Sequence, residues 1–367
     1  MIDAAFIGVK RVLAVRLDNI GDVLMLGPAL RALKEHDPAV HLTLLASPGG
    51  AAGASLLPWV DEVMTWRPVW QDISSTVPLD AEREGDLVAL LRAGSFDAAL
   101  VFTSFSQTPH VPAYVCGLAG IPLRVGESKE FGGGVLTHEL RGAPDALHQV
   151  ERNLRLVEAL GVHVGDRSLG VHLDGDDDAR ASDALRNVGV DPARPYVLVH
   201  PGASAAARRY PAERFGAVAE LCAARAWPVV VSGTAKEHAL IDVVLAHAPE
   251  ARALGAALDL RDYAALVAKA ALVICNDTLP MHLADAVRTP VVVLFSGTDL
   301  EEQWRPRASV HRLLRKPTPC RPCYLFACPI GLPCLDIDPR DVVEAASAVL
   351  QEGGAPTEDK AFIGRAL

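Results

Sequence analysis

The 367-residue chain lacks three things that would each set its class. It has no apolar run near the ~20 residues a membrane-spanning helix needs; the longest, at 270–275 and 290–295, fall far short. It has no basic excess: 35 Lys and Arg face 45 Asp and Glu, a net charge of -10. That excludes a general nucleic-acid binder, which neutralises phosphates with clustered cations, so any anionic ligand has to be held locally. It also has no small-residue cleavage pattern near its start, where MIDAAFIGVKR carries an acid early and its bases after the apolar part. No secretory signal is therefore expected, and the expected location is the cytoplasm, at most with peripheral contact at the inner face of the membrane. What is there is globular: 50% hydrophobic and 22% charged residues, in a length that exceeds one ordinary core and predicts two domains.

Buried-strand runs alternate with amphipathic segments along both halves. In the first half, the apolar run 12–17 meets Asp18-Asn19 and is followed by helical periodicity over 23–33, which Pro28 is expected to kink. Further strands are expected at 41–46 and 97–102, and a helix over 147–160. The second half repeats the rhythm, with strands at 197–200, 229–232, 272–275 and 291–294 and helices over 212–225, 236–247, 263–270 and 281–287. The predicted organisation is domain 1–165, linker 166–195, domain 196–350 and tail 351–367. The run Asp174-Gly175-Asp176-Asp177-Asp178 lacks the later glycine and glutamate of a calcium loop and reads as solvated linker.

Ligands of open parallel sheets sit beyond the carboxyl ends of the strands. There the sequence places Asn19-Ile20-Gly21-Asp22, with Arg16 just before, and in the second half His200-Pro201-Gly202, Ser232-Gly233, Asn276-Asp277-Thr278 and Ser296-Gly297-Thr298. Asp277-Thr278 opens a short helix whose positive end could meet a diphosphate; capping by either residue is the competing reading, and His282 could equally be a satisfied core histidine. Arg208, near Pro201-Gly202, could bind phosphate oxygens. Asp22, in the first turn of a helix, is either a ready base or a cap.

Seven cysteines divide into scattered Cys116, Cys222 and Cys275 and the compact Cys320, Cys323, Cys328 and Cys334. Four thiolates so close in sequence could converge on a structural zinc or iron. Without a second CxxC pair, free or disulfide-linked thiols stand beside that reading.

Three strings, RLDNIGDVLMLGPALRALK, HPGASAAARRYPAERF and NDTLPMHLADAV followed by LFSGTD, resemble in order and spacing the signatures of the ADP-heptose heptosyltransferases, glycosyltransferase family 9. The likeness runs over about 12–350. It implies a GT-B fold, two Rossmann-like domains facing across a cleft, with acceptor on the first and nucleotide-sugar donor on the second. It implies that Asp22 deprotonates the acceptor hydroxyl, with Arg16 and Asn19 on the acceptor side. His200, Gly202, Arg208, Glu237, Asp277, Thr278 and His282 would hold the donor. The implied reaction is an inverting transfer, of a heptose from ADP-heptose to a hydroxyl such as one in lipopolysaccharide inner core, with no cofactor required. Hinge motion near 165–195 and acceptor loops at 104–110 and 127–134 are further expectations. Three positions depart from the pattern: Leu279 stands where the family has glycine, Tyr210 where it has tryptophan, and Leu300 where proline is common. They bear on the donor more than on the fold. Another nucleotide sugar, a small-molecule or protein acceptor, a sugar-nucleotide epimerase of related fold, and a silent sugar-nucleotide-binding subunit remain the alternatives.

Overall fold

A computed structural model describes residues 3–72, 75–254 and 258–353. The chain divides into two compact units, Met1–Val171 and His172–Leu367.

The first unit is built on a six-stranded, wholly parallel sheet in the order β3-β2-β1-β4-β5-β6. Its strands are β1 (Arg11–Arg16), β2 (His41–Ala46), β3 (Glu62–Thr65), β4 (Ala98–Val101), β5 (Leu123–Glu127) and β6 (His138–Leu140). Its helices are α1 (Ile20–Leu24), α2 (Gly27–His36), α3 (Ala81–Ala93), α4 (His110–Leu118) and α5 (Gln149–Ala159). β1, β2 and β4 are buried almost throughout because helices cover both faces of a doubly wound sheet, which is why they read as continuous apolar runs. Leu13, Val15, Ala99 and Val101 from β1 and β4 meet Leu87, Leu91 and Cys116 from α3 and α4 in one core.

The second unit carries β7 (Val197–His200), β8 (Val229–Val231), β9 (Arg252–Ala253), β10 (Leu272–Asn276), β11 (Val291–Leu294) and β12 (His311–Leu314). Its helices are α6 (Gly175–Asn187), α7 (Ala212–Ala223), α8 (His238–His247), α9 (Leu260–Lys269), α10 (Leu279–Ala286), α11 (Glu301–Trp304) and α12 (Pro339–Gly353). Read from the β9 edge, the order β9-β8-β7-β10-β11-β12 repeats that of the first unit, position for position. In each, the chain reverses direction across the sheet beside its first strand, between β1 and β4 and between β7 and β10. That is the switch point where doubly wound sheets open a crevice for ligands.

Three expectations need correction. Pro28 does not kink one helix: α1 ends at Leu24 and α2 begins at Gly27 with Pro28 in its first turn, where a missing N–H costs no helical hydrogen bond. The acidic run is no solvated linker either. Asp174 accepts from the backbone N–H groups of Asp176 and Asp177 at 2.9 and 3.0 Å, Asp177 returns to the N–H of Asp174 at 2.8 Å, and this reciprocal cap starts α6. Asp177 is buried and paired with Arg180 and Arg261, while Arg180 also reaches Asp262 and Lys269 reaches Asp178, so these charges staple α6 to α9. Finally, 351–353 belong to α12, and the rest of the expected tail lies outside the described residues.

Candidate active site

At the switch point of the first unit, Arg16 ends β1 with its side chain wholly buried. Its Nη2 donates to Asp22 Oδ1 at 2.7 Å and to Ser104 Oγ, from the loop after β4, at 2.8 Å. Its Nε lies 2.9 Å from Asp18 Oδ2. Asp22 sits in the third position of α1, where its other oxygen accepts the backbone N–H of Asn19 at 3.3 Å. Asn19 is the exposed N-cap residue, so Asp22 is not itself the cap.

Asp18 went unassigned in the sequence, and its surroundings are the most closely built of the group. Gln107 Nε2 donates to its Oδ1 at 2.5 Å, and Ser47 Oγ donates to its backbone carbonyl at 2.7 Å. A Cβ added to Gly50 would lie 2.5 Å from that same carbonyl oxygen, so glycine is what lets the neighbouring turn close on this loop. Burial pushes the Asp18 carboxyl up from its ordinary value, and the negative charge of Asp22 adds to this against the pull of Arg16 and Gln107. The only sequence signal for Asp18 was its place two residues beyond a strand-end arginine. The loops expected to shape an acceptor pocket meet here: His110 Nε2 lies 2.8 Å from Ser128 Oγ.

In the second unit the carboxyl ends of β8, β7, β10 and β11 lie side by side, which gathers the four loops singled out in the sequence. Asn276, fully buried, ties its own loop to the loop after β7 and to the backbone of Tyr210. Its Oδ1 accepts the Tyr210 N–H at 2.9 Å, and its Nδ2 donates to the carbonyls of Pro201 and Gly202 at 2.9 and 3.1 Å. Glu237 is held by the N–H and hydroxyl of Thr234, each at 2.8 Å. A Cβ on Gly202 would fall 1.9 Å from Glu237 Oε1, so the carboxylate occupies the space the glycine leaves. His200 Nδ1 faces Ser232 Oγ at 3.2 Å and Tyr263 O–H at 3.3 Å; its Nε2 lies 3.9 Å from Glu237. Burial holds His200 below the usual histidine range, outweighing Glu237.

Thr278 is the N-cap residue of α10 with extended backbone and no side-chain cap hydrogen bond, and Asp277 precedes it. Capping therefore does not account for the Thr278 side chain. Leu279 takes the first helical position and Pro280, which has no N–H, the second. His282 is buried, and burial lowers its pKa to about 4, with Asp285 opposing and Arg208 assisting. It is a neutral ring at physiological pH. Asp285 is committed elsewhere, accepting three successive N–H groups from Arg307, Ala308 and Ser309 at 2.7–3.0 Å. Arg208 Nη2 pairs with Asp299 Oδ2 at 2.6 Å, and its Nε donates to Thr298 Oγ1 at 3.2 Å. Asp299 went unnamed in the sequence and Asn276 was placed at its strand end without a role, although both lie inside strings that had been singled out.

Of the two readings of the clustered cysteines, the structure has free thiols. Among the described residues no group of three or more His, Cys, Asp or Glu is placed to hold a metal. Cys334 is buried in the core of the second unit, Cys328 Sγ accepts the Leu332 N–H at 3.3 Å, and Cys320 is exposed with its Sγ 3.5 Å from Thr318 Oγ1. The short spacing does not make the thiols converge because the loop lies along the second unit: Cys323 N–H bonds the Gly297 carbonyl and Tyr324 N–H that of Thr298, at 3.0 and 2.9 Å.

Two doubly wound units, each with such loops gathered at its switch point, make up the GT-B architecture. The family model for glycosyltransferase family 9 (heptosyltransferase) matches residues 86–331, about two thirds of the chain, and the chain belongs to that family. Lipopolysaccharide heptosyltransferase 2 of Salmonella typhimurium is 25% identical over 367 aligned residues, spanning 94% of this chain and 99% of its own. The structure of E. coli ADP-heptose lps heptosyltransferase II superposes with a TM-score of 0.74 at 21% identity, covering 94% of this chain and all of that one. E. coli heptosyltransferase WaaC with ADP-2-deoxy-2-fluoro heptose gives 0.67 at 20% identity, covering 94% of this chain and all of that one. The protein is an enzyme of the inverting glycosyltransferase type. No helix among its described residues is long and apolar enough to cross a membrane.

Proposed function

We propose that the enzyme transfers a heptose from ADP-heptose to a hydroxyl of a lipopolysaccharide inner-core acceptor at the cytoplasmic face of the membrane. The names of its relatives support the donor and acceptor. The observation that carries the mechanism is the Asp22 carboxylate, fixed by Arg16 at 2.7 Å at the switch point of the first sheet. In this reading Asp22 takes the proton of the acceptor hydroxyl as its oxygen attacks the anomeric carbon. The bond from that carbon to the diphosphate breaks, and ADP leaves with the electron pair.

The second unit binds and discharges the donor. Glu237, beside Gly202, would accept from the nucleoside. Arg208 and the start of α10 meet the charge that develops on the departing diphosphate, the part a divalent ion plays in other transferases. Arg208 must trade Asp299 for phosphate to do so, and the neutral His282 beside it adds no second cation. No step needs a cofactor.

A second reading rests on one residue. Leu279 puts a side chain at the first position of α10, where glycine would leave the backbone bare, and a different nucleotide sugar would answer that change. Thermal shift with a panel of nucleotide sugars separates the two, because a true donor raises the melting temperature by mass action. ADP-heptose is expected to stabilise most. Stabilisation by another nucleotide sugar and not by ADP-heptose would overturn the donor assignment, leaving transfer itself to be tested with Asp22→Asn.

A further inference from the structure

Asp22 does not have Arg16 to itself. The guanidinium, with no exposed surface, stands between two carboxylates: Asp22 Oδ1 2.7 Å from Nη2 and Asp18 Oδ2 2.9 Å from Nε. Arg16 Nη1 is buried and has no hydrogen-bond partner among the described residues, and the one other acceptor on the guanidinium that the contacts give is the uncharged Ser104 Oγ, so no third carboxylate shares its charge. A base in this position faces a physical problem. A carboxylate fixed on one buried guanidinium is a poor proton acceptor, because protonation gives up an attraction that the low-dielectric surroundings make strong. With Asp18 on the same cation, the ionised cluster carries one negative charge in excess. Moving a proton onto Asp22 removes that excess and leaves Asp18 and Arg16 as a balanced pair.

We propose that Asp18 is a positioning residue for the transfer reaction: by sharing the buried guanidinium of Arg16, it keeps Asp22 able to accept the acceptor's proton. This rests on the reading of Asp22 as the base. Asp18 is held to the task by Gln107 on its free oxygen, by Ser47 on its carbonyl and by the close approach of Gly50. The surrounding elements add few charges. The 3-10 turn Ala51–Leu56 packed on α1 has no titratable side chain, and the loop after β4 offers Ser104 and Gln107. From α5, Arg152 is near enough to Arg16 for their charges to repel, and it is itself paired with Glu127.

The test is the pH profile of kcat in the full-length enzyme, read as ADP release from ADP-heptose with heptose-free lipopolysaccharide as acceptor. Asp18→Asn keeps the size and removes the charge. It is expected to lower the plateau about tenfold and move the acid limb down by about one pH unit, the scale on which a neighbouring charge acts. The KM for donor should stay the same. Asp18→Glu, which keeps the charge, should return the limb most of the way. If Asp18→Asn does not fold, Asp18→Ser replaces it with the same expectation. An acid limb that stays in place, whether or not kcat falls, overturns the proposal, since a merely structural role would lower the rate at every pH. Asp22→Asn run alongside separates the two ideas: turnover surviving there sinks the base assignment, whereas its loss together with an unmoved limb in Asp18→Asn sinks only the role of Asp18.

Discussion

The two units share a strand order and place their sites at the same point of it, yet they stock those sites with opposite electrostatics. The first buries a charge: Arg16 lies between Asp18 and Asp22 with no water-exposed surface. The second holds two buried histidines neutral, with burial keeping both His200 and His282 below the usual range, and leaves Arg208 closer to the surface on Asp299. One fold thus serves two needs. On the proposed reading, the proton acceptor gains from a second carboxylate that leaves its cluster one negative charge in excess, while a site for an anionic diphosphate gains from a cation that can change partner and from helix-start N–H groups that carry partial positive charge.

The most forceful way to break this division is Asp22→Asn. Loss of a general base costs about 10²–10⁴-fold in rate, and kcat is expected to fall on that scale while the Kd for ADP-heptose, measured by calorimetry, stays within about twofold. A matching loss of donor affinity would mean the labour is not divided. Arg208→Ala should do the reverse, raising the donor KM about 10–100-fold, since charged hydrogen bonds contribute about 1.5–3 kcal/mol; an unchanged KM would leave Arg208 bound to Asp299 with no donor role. Gly202→Ala tests the second site more finely. The added methyl must push the Glu237 carboxylate aside, and a rise in donor KM of up to about tenfold is expected, with the acid limb of kcat unmoved.

Acidification sharpens the comparison through stability. A histidine held near 4 stays unprotonated in the folded state while the unfolded chain takes up protons below the ordinary value of 6.5, so its contribution is full at neutral pH and is lost as pH falls from 6.5 towards 4. Asp18 runs the other way: its raised value makes the folded state bind a proton above 3.8, which favours folding on acidification. Amide exchange, corrected for its intrinsic pH dependence, is expected to show protection falling from pH 7 to 5 in β7 and β10 but not in β1 and β4. Equal loss in both sheets would contradict the contrast. The smallest effect belongs to the cysteines: Cys320→Ser should leave the melting temperature and turnover unchanged, and a loss of several degrees would reopen a structural metal.

Legibility followed burial. β1, β2, β4, β7, β10 and β11 stood out because both faces are covered and their sequences are apolar without interruption. β3, β6, β9 and β12 escaped notice: they are short edge strands with exposed or half-buried side chains, and HEL or HRLL carries no period that marks a strand; β5 escaped although mostly buried, because the arginine, glycine and glutamate of LRVGE break its apolar run. α6 was misread because a capping box made of aspartates looks like a solvated acidic run until Arg180 and Arg261, the latter more than eighty positions away from Asp177, close upon it.

The sequence by itself determined the two-unit α/β architecture, the family and the strings that hold the site, because these are periodic or contiguous and their physics is local. It could not say that Asp22 shares its arginine with Asp18, that Asn276 ties its own loop to the one after β7, or that among the described residues the closely spaced cysteines do not gather three or more thiols at one point. Those facts depend on which loops parallel strands bring to one edge and on what each buried polar atom meets there. A charge removed from water takes its partners from whatever is near in space, and only the tertiary structure sets that.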